Sequence, residues 1–363
     1  MLFPYVDKNN PFVLSPESLD WYLGKGWYRM GGHVFTTHFL FFQDQPFSAI
    51  WIRQHLPTHQ FSKSQRKLMR KNAKLFDVAS GPRVIDEERE ELYTRYAANF
   101  DGRLSPTIAD SLEDYASQTS IFNTWETTIR DKVSGKLVGV SYFDLGDNSA
   151  ASILGIYDPL LSTFSLGYYT MLLEMDFCRE RGLEFYYPGY VVPGYKRFDY
   201  KLRLGSNEYF DLRSKGWIPY NREEIDHSGP VEAQRRNLSA LAAKIHPDEA
   251  NGAGLYIYPL FEAKLYDPNT DNYLAYPYVV PIGRDSDDTL VLVAYDPSEE
   301  TFLILRCSLV PNAMLSFKLS HLGESSQNNY FTDLLQVEKL LLRGKSLEAI
   351  LSVLRQATQS TNS

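Results

Sequence analysis

The fold of this chain is decided by residues 136–192, KLVGVSYFDLGDNSAASILGIYDPLLSTFSLGYYTMLLEMDFCRERGLEFYYPGYVV. With the preceding run TWETTIRD and the turn at Asp131–Gly135, their β-branched and aromatic residues predict a β-meander over 121–158. Apolar residues then recur at helical spacing over 166–182, and Gly182 predicts the end of that helix. The run EFYYPGYVV, residues 184–192, predicts a further strand.

The same order of meander, helix and strand recurs in the acyl-CoA N-acyltransferase (GNAT) fold, so we predict an α+β chain with a GNAT-like core. Gly-punctuated aromatic runs predict a β-rich N-terminal region, residues 1–80, before a GNAT-like domain over 81–225. Residues 222–250 predict a linker or a short helix. Residues 250–363 predict an additional β-rich domain that ends in a helix over roughly 330–355.

Composition excludes several classes of protein. The chain has 363 residues and a net charge of −8, which argues against a basic coat for nucleic acid such as DNA. Its two cysteines, Cys178 and Cys307, cannot build a disulfide framework or a cysteine-rich metal site. His33 and His38 lie on opposite faces of a predicted strand, so we expect no metal. The absence of a signal peptide and of a long apolar run predicts a cytoplasmic protein without a membrane segment.

A basic run, FSKSQRKLMRKNAKLF, interrupts this acidic chain at residues 61–76. It predicts a helix over 62–76 with Ser62 as a possible N-cap. Helical spacing puts its cations on one face, where they suit contact with phosphates: Lys63, Arg66, Lys67, Arg70, Lys71 and Lys74. The alternative is an ordinary solvated face, although no acidic residue is interleaved.

The central block and the basic run together resemble the arginyl-tRNA–protein transferase family, including its bacterial leucyl-transferring relatives. The resemblance covers roughly residues 15–220, and it includes the segment Gly26-Trp27-Tyr28-Arg29. In the central block it rests on Gly135-Lys136, Tyr157-Asp158-Pro159, Phe164-Ser165-Leu166-Gly167, Tyr186-Tyr187-x-Gly189-Tyr190 and Lys196-x-x-x-Tyr200-Lys201. The family usually carries paired N-terminal cysteines that hold a metal or an iron–sulfur cluster. This chain has none there, so no cofactor is expected.

The resemblance implies that an amino acid, arginine by family analogy, moves from a charged tRNA to a protein N-terminus and creates a degradation signal. The partners implied are an aminoacyl-tRNA and an acceptor protein. Because the tRNA ester is already activated, the enzyme must position both substrates, accept a proton from the amine and stabilise an oxyanion.

Several residues are candidates for these roles. The helix start at Ser165, Leu166 and Gly167 suits an oxyanion, although Gly167 is also explained by close packing. Asp158 would bind an amine or a cationic side chain, or else cap a turn. Glu126 and Asp144, on neighbouring predicted strands, are candidate general bases or else surface carboxylates.

A second basic and aromatic cluster follows the last predicted strand. Its rings suit stacking on the unpaired 3′ bases of a tRNA and its lysines suit phosphates, with an ordinary exposed loop as the alternative. We assign to substrate or tRNA binding Tyr187, Tyr190, Lys196, Tyr200 and Lys201.

Two rival functions remain. One is a GNAT enzyme that uses another donor such as acyl-CoA. In GNAT enzymes the turn before the central helix binds the pyrophosphate of coenzyme A through an Arg/Gln-x-x-Gly-x-Gly/Ala pattern. The corresponding residues here argue against acyl-CoA, since Phe164 replaces the first Arg or Gln and Tyr169 replaces the last small residue, where its side chain would meet a pyrophosphate. The other is a non-catalytic descendant that binds RNA or protein.

Overall fold

The computed structural model describes residues 3–100, 102, 104–113, 119–245, 254–267, 270, 272–310 and 329–361. Its N-terminal part confirms the predicted short strands, which form a three-stranded sheet in the order β1-β3-β2 and a hairpin of β4 and β5. A helix, α1, was not predicted; the Ser15 side chain caps it by accepting from the Ser18 N–H at 3.1 Å. The bounds are β1 Val6–Asn9, α1 Pro16–Gly24, β2 Tyr28–Met30, β3 His33–Thr37, β4 Phe39–Phe42 and β5 Gln45–Ser48.

The centre is a large sheet of eight strands with helices on both faces. Its bounds are β6 Ile50–His55, α2 Lys63–Asn72, β7 Phe76–Pro82, α3 Glu87–Ala97, α4 Ile108–Leu112, β8 Thr124–Asp131, β9 Leu137–Leu145, β10 Ser149–Tyr157, α5 Leu166–Glu180, β11 Phe185–Val191, β12 Asn207–Asp211 and β13 Gly216–Pro219. The strand order is β13-β12-β6-β11-β10-β9-β8-β7, so the predicted meander of β8, β9 and β10 is confirmed. Gly182 adopts a φ of +73° just after α5, as the C-terminal glycine signal predicts.

The unit β10–α5–β11 is the one parallel connection between strands of this sheet that the described residues contain. The α5 helix packs on one face of β9 and β10, and α3 packs on the other. Every residue of β9 is therefore buried, which explains its nearly continuous apolar sequence.

The C-terminal part adds further helices and a five-stranded sheet in the order β14-β15-β16-β17-β18. The region around 222–250, predicted as a linker or short helix, forms α6 and α7. The bounds are α6 Arg222–Ser228, α7 Pro230–Ile245, β14 Tyr256–Ile257, α8 Ala263–Tyr266, β15 Tyr278–Arg284, β16 Leu290–Asp296, β17 Thr301–Val310, β18 Leu334–Gly344 and α9 Leu347–Thr361.

The helix predicted over 330–355 is wrong in its first half, because β18 occupies that stretch and pairs antiparallel with β17. Leu334 and Leu335 are buried whereas Leu340 and Leu341 are exposed, so the leucines do not form one apolar helix face. The second half of the prediction is confirmed by α9.

The N-terminal and C-terminal parts are joined by buried polar contacts. The Tyr5 hydroxyl donates to the Asp296 carboxylate and accepts from the Ser298 N–H at 2.9 Å. Lys264 and Asp7 form an ion pair at 3.0 Å. The proposed division into regions 1–80, 81–225 and 250–363 stays a prediction, although β6 of the first region lies inside the large sheet. Within the described ranges, no helix is long and apolar enough to cross a membrane.

Candidate active site

The large sheet opens between β10 and β11. The two strands pair only from Ser149 with Phe185 to Ala151 with Tyr187, and then separate. The Tyr28 hydroxyl lies where they part, 2.7 Å from the Ser152 carbonyl oxygen and 2.6 Å from the Tyr187 carbonyl oxygen. We call this separation, bordered by Tyr28, Ser152 and Gly189, the strand gap. A gap in a sheet exposes backbone polar groups that would otherwise pair, so it is a natural place for a substrate.

Glu174 lies beneath the strand gap on α5 and is completely buried. The Tyr186 hydroxyl donates to its Oε2 at 2.6 Å, while its Oε1 has no hydrogen-bond partner among the described residues. Burial raises the pKa of Glu174 to about 7, against a smaller lowering by the hydroxyls of Tyr186, Ser141 and Ser152. A carboxyl whose pKa lies near neutral pH is suited to accept a proton in a reaction.

Lys201 approaches the strand gap from the 3₁₀ helix Lys196–Leu204, which follows β11. Its Nζ donates to the Tyr190 carbonyl oxygen at 3.1 Å, and it lies 5.4 Å from the Tyr190 ring centre and 5.3 Å from that of Phe198. Burial of the ammonium lowers the pKa of Lys201 to about 8. Among the described residues no carboxylate forms an ion pair with it.

Gly189 allows the Lys201 ammonium to approach the backbone closely. A Cβ at this position would lie 3.1 Å from the Lys201 Nζ and 4.0 Å from the Tyr28 hydroxyl oxygen. The φ of Gly189 is +93°, which side chains rarely tolerate. Glycine is therefore favoured both by the backbone at the edge of the strand gap and by the close approach of the ammonium.

An aromatic wall runs from the N-terminal sheet to the strand gap. Consecutive rings are in contact, with distances between ring centroids of 5.0 Å for Tyr28 and Trp51, 5.2 Å for Trp51 and Tyr190, and 5.4 Å for Tyr190 and Phe198. Glu262 of the C-terminal part faces Tyr190, and burial raises the pKa of Glu262 to about 7. Two carboxyls with pKa values near neutral pH thus lie near different rings of this wall, Glu262 near Tyr190 and Glu174 near Tyr28.

Two of the predicted catalytic carboxylates are held by arginines. Asp144 is fully buried; it accepts from Arg29 at 2.7 Å and from the Thr124 hydroxyl at 2.6 Å. Glu126 is also buried and accepts from the Arg89 Nε at 2.9 Å. The alternative that placed both carboxylates on the surface is wrong, because the neighbouring layers cover their strands. Their assignment as general bases stays a prediction.

Asp158, the third predicted carboxylate, caps the short 3₁₀ helix Pro159–Phe164 by accepting from the Leu160 N–H at 3.1 Å. It also lies 3.7 Å from Arg95 and 3.6 Å from Lys136. The turn-capping alternative is therefore confirmed, and binding of an amine stays a prediction.

The helix start at Ser165, Leu166 and Gly167 follows this 3₁₀ helix. Ser165 has a φ of +52° and its side chain does not cap α5. A Cβ on Gly167 would lie 2.9 Å from the Tyr157 ring, so the close-packing explanation of this glycine is confirmed. The Tyr169 side chain is buried in the core, so the expectation that it would obstruct a pyrophosphate is wrong. Oxyanion binding at this helix start stays a prediction.

The basic helix is confirmed, but it ends at Asn72 and not at residue 76, because β7 begins at Phe76. Ser62 and Gln65 form a reciprocal capping box. The Gln65 amide also donates to the Tyr168 hydroxyl at 2.9 Å and to the Leu204 carbonyl oxygen at 2.9 Å, which docks the helix against α5. All six predicted cations are exposed, and none has an ion-pair partner within the described part of the chain.

The second predicted cluster divides into two groups. Lys196 and Tyr200 have exposed side chains, as expected for contact with a nucleic acid. Tyr187 is instead buried, with its ring 5.4 Å from that of Trp217. Tyr190 and Lys201 turn toward the strand gap, so the picture of an exposed loop is wrong for these two residues. The substrate-binding roles themselves stay predictions.

Sequence reasoning missed Glu174. Its signal was a single acid on the core side of an otherwise apolar helical stretch, LGYYTMLLEMDF, four residues after Thr170 and three after Met171. A carboxylate at such a position must be paired or functional, because burial of an unpaired charge is costly.

Comparison with known proteins identifies the family of this chain. Residues 88–211, which include Glu174, Gly189 and Lys201, match the family described as "Arginine-tRNA-protein transferase, C terminus". An "Aspartate/glutamate leucyltransferase" from Phenylobacterium zucineum is 30% identical over 186 residues, which cover 49% of this chain and 70% of the relative. The chain belongs to the arginine-tRNA–protein transferase family.

Two further relatives of this transferase-family chain carry the same name. The one from Ruegeria pomeroyi is 33% identical over 158 residues, or 41% of this chain and 55% of the relative. The one from Leptospira interrogans is 27% identical over 200 residues, or 53% and 73%. The chain thus spans about half to three quarters of the length of these relatives. Since all three are named for leucine, the expectation of arginine as the donor is not supported.

A solved structure, L-PGS from Bacillus licheniformis, overlaps 48% of this chain and 50% of its own with a TM-score of 0.32 and 11% identity. That similarity is too low to bear on function.

Proposed function

We propose that this chain transfers a leucyl group from leucyl-tRNA to the N-terminus of a protein that begins with aspartate or glutamate. The names of the relatives supply both the donor and the acceptor of this proposal. The observation that carries it is the strand gap, whose two strands β10 and β11 lie within the family match, with a buried carboxyl without a cationic partner, Glu174, beneath it. Leucine added in this way would serve as a degradation signal.

The reaction is aminolysis of an ester. The acceptor's α-nitrogen forms a bond to the leucyl carbonyl carbon, and the bond from that carbon to the tRNA ribose oxygen breaks. The amine loses a proton and the ribose oxygen gains one. In our proposal Glu174 takes up the proton of the amine, directly or through the hydroxyls around it, and the first N–H groups of α5 stabilise the oxyanion.

The basic helix is the proposed contact for the tRNA. Five of the six exposed cations project from this helix and Lys74 follows its end, and the helix packs against α5, which carries Glu174. Each phosphate that these cations neutralise would release counterions, so binding should weaken steeply with salt. Lys196 and Tyr200, exposed on the 3₁₀ helix after β11, extend the proposed surface toward the 3′ end.

We also propose that the core is of the GNAT type. The support is topological: an antiparallel meander precedes a helix, and the next strand runs parallel to the last strand of the meander before the two separate. In this arrangement the strand gap is the space in which the acyl donor and the amine meet.

The test is a transfer assay with tRNA charged with labelled leucine or arginine and peptides of varied first residue. We expect label from leucyl-tRNA in peptides that begin with Asp or Glu, and little from arginyl-tRNA. Absence of transfer in every combination would contradict the proposal. Coenzyme A is added in parallel in a thermal-shift experiment, where strong stabilisation would favour an acyl-CoA enzyme.

A further inference from the structure

We propose that Lys201 determines acceptor specificity by binding the acidic side chain of the N-terminal residue that receives the amino acid. This inference rests on the proposed function and deepens it, because it assigns the recognition of aspartate or glutamate to one side chain of this chain.

The hydrogen-bonding capacity of the Lys201 ammonium is only partly filled. The ammonium has three N–H donors, and one of them donates to the Tyr190 carbonyl oxygen at 3.1 Å. No carboxylate of the described residues forms an ion pair with Lys201. A cation shielded from water by aromatic rings is costly without an anion. A bound carboxylate would supply both the missing charge and the missing acceptors.

Gly189 lies directly against the Lys201 ammonium, since a Cβ there would lie 3.1 Å from Nζ. The centres of the Tyr190 and Phe198 rings lie 5.4 and 5.3 Å from Nζ. Because glycine has no side chain, the ammonium borders the backbone at the edge of the strand gap, which suits the approach of a planar carboxylate on a short side chain.

The position of Lys201 favours a carboxylate over a tRNA phosphate. The cations that suit phosphates lie exposed on the basic helix and at Arg203, where a bulky, strongly hydrated backbone has access. Lys201 is turned inward from the same 3₁₀ helix, and burial lowers its pKa to about 8. A lone half-buried ammonium beside a glycine favours the smaller anion.

Glu174 completes the arrangement. It is a carboxyl without a cation, Lys201 is a cation without a carboxylate, and among the described residues the two form no ion pair with each other. An N-terminal aspartate or glutamate carries the complementary pair, an α-ammonium and a carboxylate. The acceptor residue would thus place its amine toward Glu174 and its side chain toward Lys201.

The experiment measures kcat/KM of the full chain with leucyl-tRNA and peptides that begin with Asp, Asn, Glu, Gln or Lys. For the unmodified chain we expect Asp over Asn and Glu over Gln by roughly a hundredfold, since an analogue that leaves a buried charge unpaired is rejected strongly. Lys201→Gln should bring both ratios close to one, Lys201→Arg should restore much of the preference, and Lys201→Glu should favour the peptide that begins with Lys.

Lys196→Gln is the matched control, because Lys196 starts the same 3₁₀ helix but is exposed. Whatever its effect on the rate, it should leave the Asp/Asn and Glu/Gln ratios unchanged. Thermal melting of each variant checks folding, and Lys201→Met provides a second uncharged variant if Lys201→Gln is poorly folded.

Two outcomes would overturn the inference. In one, Lys201→Gln lowers kcat/KM equally for acidic and amide peptides, so that the preference survives. In the other, it raises the KM for leucyl-tRNA by the same factor with every peptide, which would assign Lys201 to a phosphate. Either result leaves the proposed function standing, whereas failure of the unmodified chain to transfer to any peptide contradicts the proposed function itself.

Discussion

Two sets of charged side chains lie inside this chain, and they differ in whether each charge has a partner. In the meander, Asp144 is held by Arg29 at 2.7 Å and Glu126 by Arg89 at 2.5 Å. At the strand gap, Glu174 and Lys201 have no ion-pair partners among the described residues. Our proposal therefore locates the reactive site by the absence of a charged partner and not by the spacing of carboxylates in the sequence.

The difference has an energetic basis. A buried ion pair with good geometry compensates its own desolvation, so removal of one partner leaves an uncompensated charge and is strongly destabilising. An unpartnered buried carboxyl or ammonium lowers stability in the free protein, so its retention needs a functional reason. In our proposal, therefore, the arginine-bound carboxylates maintain the fold and the strand gap carries the chemistry.

The largest expected effect is on the paired set. Asp144→Ala leaves the Arg29 guanidinium buried without its carboxylate, and we expect a loss of about 3–5 kcal/mol in the free energy of unfolding. Denaturant unfolding measures it. Asp226→Ala is the control, because the Asp226–Arg222 pair is exposed at 3.4 Å and should contribute below about 1 kcal/mol. An Asp144→Ala variant that stays stable yet loses transfer would make Asp144 the base and break the comparison.

The second effect is on the unpaired carboxyl. Glu174→Gln keeps the shape and the Tyr186 hydrogen bond but cannot accept a proton, so we expect kcat to fall about a hundredfold or more. In the unmodified chain, activity should rise with pH through about 7, as Glu174 loses its proton. The variant should lose this step in a pH–rate profile.

Glu262 provides the control for that profile, because burial also raises its pKa to about 7. Glu262→Gln should keep the step near pH 7, since Glu262 faces Tyr190 and not the hydroxyls around Glu174. If Glu262→Gln removes the step and Glu174→Gln does not, Glu262 and not Glu174 is the proton acceptor.

The pH dependence of folding stability provides a second test of the raised pKa of Glu174. Its folded pKa of about 7 exceeds the ordinary value of 4.5, so the folded state binds this proton more tightly than the unfolded state. The stabilisation that results from this tighter proton binding is fully present below pH 4.5 and is lost as pH rises through 7. By pH 8 the free energy of unfolding is lower by roughly 3 kcal/mol. Glu174→Gln should therefore melt at a higher temperature than the unmodified chain at pH 8, and at a similar temperature at pH 4.5.

The third effect concerns unpaired charges at the surface. Reversal of the four central cations of the basic helix to Glu should weaken tRNA binding by roughly tenfold or more. It should also lower the salt slope by about one for each phosphate that the helix no longer neutralises. The variant is Arg66→Glu, Lys67→Glu, Arg70→Glu and Lys71→Glu. The capping box at Ser62 is unchanged, so the helix should persist.

A matched control places the same charge change on the exposed side of the C-terminal part, at Lys339, Arg343, Lys345 and Arg355. Filter binding over a salt series compares the two variants. Equal weakening in both would mean that net charge, and not the basic helix, governs affinity.

The smallest expected effect is that of a substitution at Gly167, which tests whether this glycine at the start of α5 serves packing or catalysis. Gly167→Ala pushes a methyl group against the Tyr157 ring, and we expect a loss of about 1 kcal/mol in the free energy of unfolding. Tyr157→Leu in the same chain should recover part of the loss. A Gly167→Ala variant of normal stability that no longer transfers leucine would indicate that this glycine serves the reaction.

The sequence predicted the local elements well wherever periodicity and turn residues agreed. The meander, α5 with Gly182 at its end, β11 and the basic helix all follow from spacing. The prediction from sequence was wrong at β18. Leucine favours a helix, and the leucines at positions 334, 335, 340 and 341 therefore predicted one, but pairing with β17 makes this segment a strand. Asp144 and Glu126 were identified as candidate carboxylates, but their arginine partners lie 115 and 37 residues away in the chain. A local sequence pattern therefore cannot predict these ion pairs.

By itself, then, the amino-acid sequence determined the family resemblance, the α+β class and the exposed basic helix, since each depends on residues close together in the chain. Only the tertiary structure decided which charges lack partners. Glu174, Gly189 and Lys201 lie on a helix, a strand and a 3₁₀ helix, and the last two are in contact at the edge of the strand gap, where β10 and β11 part beside Tyr28. Burial and pairing depend on how these elements pack together, and they distinguish a carboxylate that supports the fold from one that can hold a proton.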